Sequence, residues 1–271
     1  MSVKHDVSGR RTVDVNVEVA GTPEQVWQAI ATGPGISSWF VPTQVDEREG
    51  GRIAFDLGPG MESVGSVTTW DPPRRFAYEE REWAPDAPPI ATEFTIEARS
   101  GGTCLVRLVH SLFASGNQWD DQLESFESGW PAFFEVLRIG LRHFAGQPSA
   151  TIRVTRSTTA SESETWGSIT RALGLGAAVE GQRPVAPEAG VPRFDGVVER
   201  VRPRDIVVRL EHPAPGVGLF GVYTWAERVS VSITLYLFGA DATAAAARQE
   251  PAWRDWLERA AAPPQSQGLL S

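Results

Sequence analysis

The four histidines, His5, His110, His143 and His212, are the side chains best suited to proton transfer or metal ligation near neutral pH, and they lie far apart along the chain. No HExxH, GxSxG or phosphate-loop pattern accompanies them. No Cys/His cluster has metal-ligand spacing, so the sequence offers no catalytic constellation and implies no cofactor. His110 is the informative one. In TCLVRLVHSL it shares one face of an alternating segment with Cys104, Val106, Leu108 and Leu112. It is therefore either a hydrogen-bonded core histidine or a polar group facing a cavity, and a general base is a special case of the second. Cys104 is the single cysteine, which excludes an intrachain disulfide, and among valines and leucines it reads as a small buried hydrophobe. His5 belongs to the N-terminal tail. His212, before Pro213, reads as an exposed strand end.

The other candidates are aromatic. Trp39 and Phe40 end the stretch ISSWF, Phe55 lies in GRIAFDL, and Trp130 and Phe134 lie on a long helical stretch. Tyr78, if turned inward with Phe76, brings a hydroxyl to the polar end of a bound molecule. These residues with His110 are the candidate ligand contacts, and core packing is the alternative at each. For Trp27 and Trp166, at matching positions on two helices, core packing is the reading.

The elements that would position them follow from periodicity. In TVDVNVEV, Val13, Val15, Val17 and Val19 alternate with polar residues, the pattern of a half-buried strand. Thr22 can cap the next helix, Pro23 suits its first position, Gln25 completes a capping box, and Val26, Trp27 and Ile30 form its buried stripe. Gly33, Pro34 and Gly35 are expected to break the chain before ISSWF. GRIAFDL, SVTTW, FAYEEREW, ATEFTIEA and TCLVRLVHSL follow as strands, divided by DPPRR and RSGG. Their connections are too short for helical crossovers, so the sheet is an antiparallel meander. The mixed charges of EEREW, 79 to 83, read as a solvated strand face.

The period then changes to about 3.6. Leu123, Phe126, Trp130, Phe133, Leu137, Leu141 and Phe144 recur at helical spacing, and this helix must lie across the meander. Pro131 falls inside the pattern and predicts a kink or two abutting helices.

The plan then repeats. TIRVTRSTTASESETWGSI lies on TVDVNVEVAGTPEQVWQAI with Trp166 on Trp27, and Ser161 and Glu164 repeat the capping box. GVVERVRPRDIVVRLE follows GSVTTWDPPRRFAYEE with Gly196 on Gly65, VSVSITLYLF follows the strand near LVRLVHSLF, and a helix with Trp253, Trp256, Leu257 and Ala260 closes the pattern. Between the tryptophans and Gly196 the second copy has lost about eight residues, and GAAVEGQRPVAPEAGVP, a loop by composition, stands where GRIAFDL would be.

Strand, capped helix with TPEQVW, short second helix ending in WF, WDPPRRF-type turn and long helix carrying GW together resemble the START-like (SRPBCC, helix-grip) superfamily. Residues 10 to 146 are most similar to bacterial proteins like the C-terminal domain of the activator of the heat-shock-protein-90 ATPase, and more distantly to polyketide cyclase-like proteins. The resemblance implies an α+β helix-grip fold, a curved antiparallel sheet wrapped on a long C-terminal helix, in two tandem copies. The boundaries expected are 1–149, with an apolar cavity, and 150–271, shortened. It also implies one of three roles: binding of an apolar, lipid-like or aromatic small molecule, a protein-interaction or chaperone-regulator role, or a cyclase-like or hydrolase reaction. Binding is the reading preferred, in the first copy, which alone keeps the segments that would wall a pocket.

The formal net charge of −9 argues against nucleic acid as a partner, since like charges repel. No apolar run is long enough for membrane insertion, and no apolar segment follows Arg10 and Arg11 as in a secretory signal, which places the protein in the cytoplasm.

Overall fold

The computed structural model describes residues 4–5, 11–58, 60–81, 87–112, 120–185, 187–225 and 228–261, with backbone only at 4, 5, 11, 120–128 and 225. The chain divides into two compact units, Met1–Gly146 and Gln147–Ser271. The second begins slightly before the expected 150 because Ser149 already pairs with Phe238 in its sheet.

The first unit opens with β1 (Lys4–His5) and β2 (Arg11–Ala20). Helix α1 (Pro23–Ala31) starts at a complete capping box, in which Gln25 N–H donates to Thr22 Oγ1 and Thr22 N–H donates to Gln25 Oε1. Val26, Trp27, Ile30 and Ala31 are its buried face. The Gly33, Pro34, Gly35 triplet does not break the chain as expected. It forms α2 (Gly33–Ser37), because Thr32 caps it by accepting from Gly35 N–H and Pro34 occupies a first-turn position that needs no donor. A side chain at Gly35 would meet the Gln28 carbonyl oxygen at 1.9 Å, so only glycine lets the two helices abut so closely.

The strands β3 (Thr43–Val45), β4 (Arg52–Gly58), β5 (Met61–Asp71), β6 (Arg75–Glu80), β7 (Ile90–Arg99) and β8 (Thr103–Leu112) complete an eight-stranded antiparallel sheet of order β1-β2-β8-β7-β6-β5-β4-β3. Tight turns fix its register, and Val13, His110, Thr92, Tyr78 and Val67 stand in one row across β2, β8, β7, β6 and β5. Helix α3 (Asp120–Phe144) then packs along β2. It is one helix with Pro131 inside, not two, since its buried Trp130, Phe134, Leu137 and Leu141 hold both sides of the proline to the sheet. Leu123 and Phe126 of the expected stripe lie where only the backbone is described.

The second unit has β9 (Ser149–Thr158), α4 (Glu162–Ala172), β10 (Asp195–Val201), β11 (Asp205–His212), β12 (Gly216–Trp225), β13 (Arg228–Phe238) and α5 (Ala242–Ala260). Its sheet order is β10-β11-β12-β13-β9, the order β5-β6-β7-β8-β2 of the first unit without counterparts of β3 and β4. This is the α+β helix-grip arrangement in two tandem copies. Gly65 and Gly196 occupy equivalent places, and a Cβ at either would collide with a carbonyl of the paired strand, Glu79 O at 2.6 Å and Arg209 O at 2.1 Å.

Two details of the second copy differ from expectation. Thr165, Ile169 and Thr170 are buried on α4, at the places of Val26, Ile30 and Ala31 on α1, while Trp166 packs against the core yet is only partly buried, where Trp27 is buried. Glu164 accepts from the Ser161 hydroxyl rather than reaching back to a backbone N–H, so half of the capping box is present.

Residues 176–192 are a loop apart from the undescribed Ala186, and the loop makes with Val198 the contact that Gly50 and Gly51, just before β4, make with Val67 in the first unit. Gly181 N–H donates to Val198 O and Val198 N–H donates to Gln182 O, at 2.8 and 2.9 Å, along the outer side of β10. Ion pairs from Glu180 to Arg200 and from Arg183 to Asp195 and Glu211 fasten this strap. It satisfies part of a sheet edge that would otherwise present bare hydrogen-bonding groups.

Candidate functional site

On the face of the first sheet that meets α3, aromatic rings from four places converge. Trp39 follows α2, is 2% exposed, and donates its indole N–H to Ala29 O at 2.9 Å. That bond holds the ring in the core. Phe40, the next residue, is half-buried. It stacks on Trp130 at 5.2 Å between centroids and meets Phe55 and Phe133 edge-on at 6.0 and 4.7 Å. Phe55 leads to Tyr78 at 5.3 Å, and Tyr78 to Phe76 at 5.6 Å. Trp130 also contacts Phe134 at 5.8 Å and His110 at 6.2 Å.

All seven candidates, Trp39, Phe40, Phe55, Tyr78, His110, Trp130 and Phe134, therefore lie in one connected set of rings. Six are at most 7% exposed, and Phe40 with Phe133 forms the part that reaches the surface. Such edge-on and offset pairs each contribute about 0.5–1.5 kcal/mol beyond burial.

Beneath the rings runs a polar line. The Thr92 hydroxyl lies 2.8 Å from His110 Nδ1, and Tyr78, directly opposite Thr92 on β6, is hydrogen-bonded to the same threonine. One row further, Glu80 accepts from the Ser63 hydroxyl. Glu80 corrects the solvated-face reading of EEREW. It shares the inward side of β6 with Phe76 and Tyr78, while Glu79 turns outward to pair with Arg81 at 2.9 Å. Gly65 stands opposite Glu80, and the backbone of β6 approaches it too closely for a side chain.

Burial sets the charge state of this line. It pushes the Glu80 carboxyl up, against the smaller opposing effect of the Ser63 bond, and pushes the Tyr78 phenol well up. It lowers His110 to about 4. At neutral pH His110 and Tyr78 are uncharged, and the line consists of hydrogen-bonding groups. Cys104 is buried, its thiol pushed up chiefly by burial, with its Sγ 3.4 Å from Gly21 O. That is an inert thiol.

Thr92, Ser63 and Glu80 were not among the sequence candidates. Thr92 was within reach of sequence reasoning, because the tight RSGG turn fixes which residue stands opposite His110. Glu80 was hidden by its place in a charge run.

The second unit has its own recess of about 320 Å³ between α4, the loop and α5, lined by Ile169, Ala172, Trp256 and Ala260 with Glu188 and Arg259 at its margin. Among the described residues no group of three or more His, Cys, Asp and Glu side chains could hold a metal. No described helix is long and apolar enough to cross a membrane.

Residues 20–141 match the family described as Activator of Hsp90 ATPase homolog 1-like protein, AHSA1. Over these residues the chain is similar to that family. The match covers the elements that carry the ring set, from α1 to α3. No curated protein matches the chain. Among solved structures, CalU16 from Micromonospora echinospora is 20% identical over 52% of this chain and 83% of its own, with a TM-score of 0.42. The Aha1 dimer from Colwellia psychrerythraea is 19% identical over 49% and 96%, with a TM-score of 0.43. The di-domain ARO/CYC protein BexL from the BE-7585A biosynthetic pathway is 17% identical over 93% of both chains, with a TM-score of 0.45. The matched residues thus include the rings and the polar groups beneath them.

Proposed function

We propose that the N-terminal unit binds an apolar small molecule between α3 and the sheet, without catalysing a reaction on it. The observation that carries this reading is the convergence of rings from α3, β4, β6 and the segment after α2 on a buried polar line, with Phe40 and Phe133 reaching the surface. Apolar walls with a few fixed polar groups are the usual make-up of a small-molecule site. The described rings pack on one another, so a ligand enters by parting Phe40 from Phe133. Pro131, which supplies no N–H to the helix, sits beside both Trp130 and Phe133 and makes this turn of α3 the easiest to move.

Native mass spectrometry of the purified full chain tests the reading. A co-purifying small molecule, displaced by Nile red and lost in Phe40→Ala, is the expected result. A ligand-free protein to which Nile red does not bind would overturn it. A second reading is favoured by the family match, whose description names an activator of the Hsp90 ATPase. A protein partner of that kind predicts that the full chain raises the ATPase rate of an Hsp90, which a coupled assay measures directly.

A further inference from the structure

The loop from 176 to 192 carries three charged residues, and two of them fasten it to the sheet: Glu180 pairs with Arg200, and Arg183 with Asp195 and Glu211. Glu188 is the third. It stands at the margin of the recess between the loop, α4 and α5, and Arg259 of α5 stands at the same margin. No ion pair joins the two, and among the described residues neither side chain has a hydrogen-bonding or ionic partner.

The lip that carries Glu188 is fixed. Its N–H donates to Ala172 O at 2.9 Å at the end of α4, its carbonyl accepts from Val191 N–H at 3.2 Å, and Gly190 turns the chain between them with a φ of +88°. The floor of the recess is the buried, apolar pair Ile169 and Trp256. The space above it stays open where α4 and α5 present only the small side chains of Ala172 and Ala260.

These parts limit what can bind. At about 320 Å³ the recess lies at the lower end of the range of small-molecule sites, roughly 300–1,000 Å³, so its occupant is small. An apolar floor takes a hydrocarbon group. The margin treats single charges badly, because an anion drawn to Arg259 also meets Glu188, and a cation drawn to Glu188 also meets Arg259. A molecule with both charges at one end and a hydrocarbon group at the other satisfies all three surfaces at once.

We infer that this recess is a binding site for a small zwitterion with an apolar side chain, the chemistry of a free apolar α-amino acid. Its carboxylate lies at the Arg259 guanidinium, its ammonium at the Glu188 carboxylate, and its side chain on Ile169 and Trp256. The site is separate from the ring set of the first unit, and failure of either reading leaves the other standing.

The test is a nuclear magnetic resonance titration of the isotope-labelled full chain at pH 7 and low salt, followed at the Trp256 indole N–H signal, which Trp256→Phe identifies. The probes are L-phenylalanine, 3-phenylpropionate, which lacks its ammonium, 2-phenylethylammonium, which lacks its carboxylate, and glycine, which lacks its ring. Phenylalanine is expected to bind about two- to fivefold more tightly than either singly charged analogue, the worth of one solvent-screened ion pair, and at least about tenfold more tightly than glycine, which has no ring to bury. Glu188→Gln should erase the difference between phenylalanine and 3-phenylpropionate, and Arg259→Gln the difference between phenylalanine and 2-phenylethylammonium. Both side chains are exposed, so neither change touches the core. Phenylalanine that leaves the Trp256 signal unmoved overturns the site. Binding no tighter than that of either singly charged analogue, or a preference that survives both glutamine variants, overturns the assignment of a zwitterion to Glu188 and Arg259.

Discussion

Replacing Trp130 by alanine puts the packing of the ring set to a quantitative test. The indole is 7% exposed and lies within 6.5 Å, centroid to centroid, of Trp39, Phe40, Phe94, His110 and Phe134. Truncating a buried Trp or Phe to Ala typically costs about 3–5 kcal/mol, and the amount depends on how far the site can collapse. Here collapse is hindered on several sides. Trp39 is tied by its N–H to α1, and Phe94 and His110 sit on paired strands, so only Phe40 and Phe134 can lean inward. The loss should therefore fall at the upper end, about 4–5 kcal/mol. For a unit of this size that is a fall of roughly 10–20 °C in Tm. Trp130→Phe, which keeps a ring, should cost about 1–2 kcal/mol. Differential scanning calorimetry of the full chain measures both, with the transition of the first unit identified as the one that Trp130 variants move. A loss under about 2 kcal/mol for Trp130→Ala would refute the reasoning, because it would mean that the rings do not bear on one another.

Three further outcomes are expected. His110 titrates near 4 when folded against 6.5 as its ordinary value, so the folded state resists its protonation. Its contribution to stability is complete above about pH 6.5 and is lost as pH falls toward 4, up to about 3 kcal/mol in all. Glu80, raised by burial, acts in the opposite sense, binding its proton in the folded state first, so the effect of His110 is read as the difference between parent and His110→Gln in urea unfolding at pH 7, 5.5 and 4.5. An identical pH slope in the variant would refute it. Gly196→Ala drives a Cβ to within 2.1 Å of Arg209 O and should destabilise the second unit by about 1–3 kcal/mol, moving the calorimetric transition that Trp130 variants leave in place. Arg183→Ala, which removes solvent-screened surface ion pairs, should leave both transitions nearly unmoved yet speed amide hydrogen exchange at Val198, whose N–H the strap covers.

Much of this was legible in the sequence because it depends on local rules. The Thr22 and Gln25 spacing gives the start of α1, the alternating valines give β2, and the repeat of Gly65 at Gly196 follows from a backbone approach that admits no side chain. The ring set was legible as a list of residues, since aromatics facing inward from strands and helix must meet. What stayed hidden depends on which way one residue turns. Glu80 looked solvated because charges flank it, and only its parity with Phe76 and Tyr78 reveals the inward direction. Trp166 looked like a second Trp27 and does pack against its core, but it stays partly exposed. Gly33 and Gly35 looked like breakers because glycine usually is one, whereas here close approach requires it, of Gly35 to α1 and of Gly33 to β3.

In the second unit the first strand pairs with the last: Val229 stands opposite Thr158 and Phe238 opposite Ser149. In the first unit β2 closes on β8 in the same manner. As the chain leaves the ribosome, β9 therefore waits, its neighbour position vacant, until β13 has been made, and only then can α5 settle along β9. Pairing across such a separation carries a loop-closure cost before it gains any contact, so assembly of this sheet is slow relative to its hairpins. During that wait the β10–β11–β12 meander can already have formed, and its outer edge is one of the sites where a nascent neighbour could add. The strap from 181 to 182 precedes β10 in the chain, so it is available to cover that edge the moment β10 emerges, well before the sheet is complete.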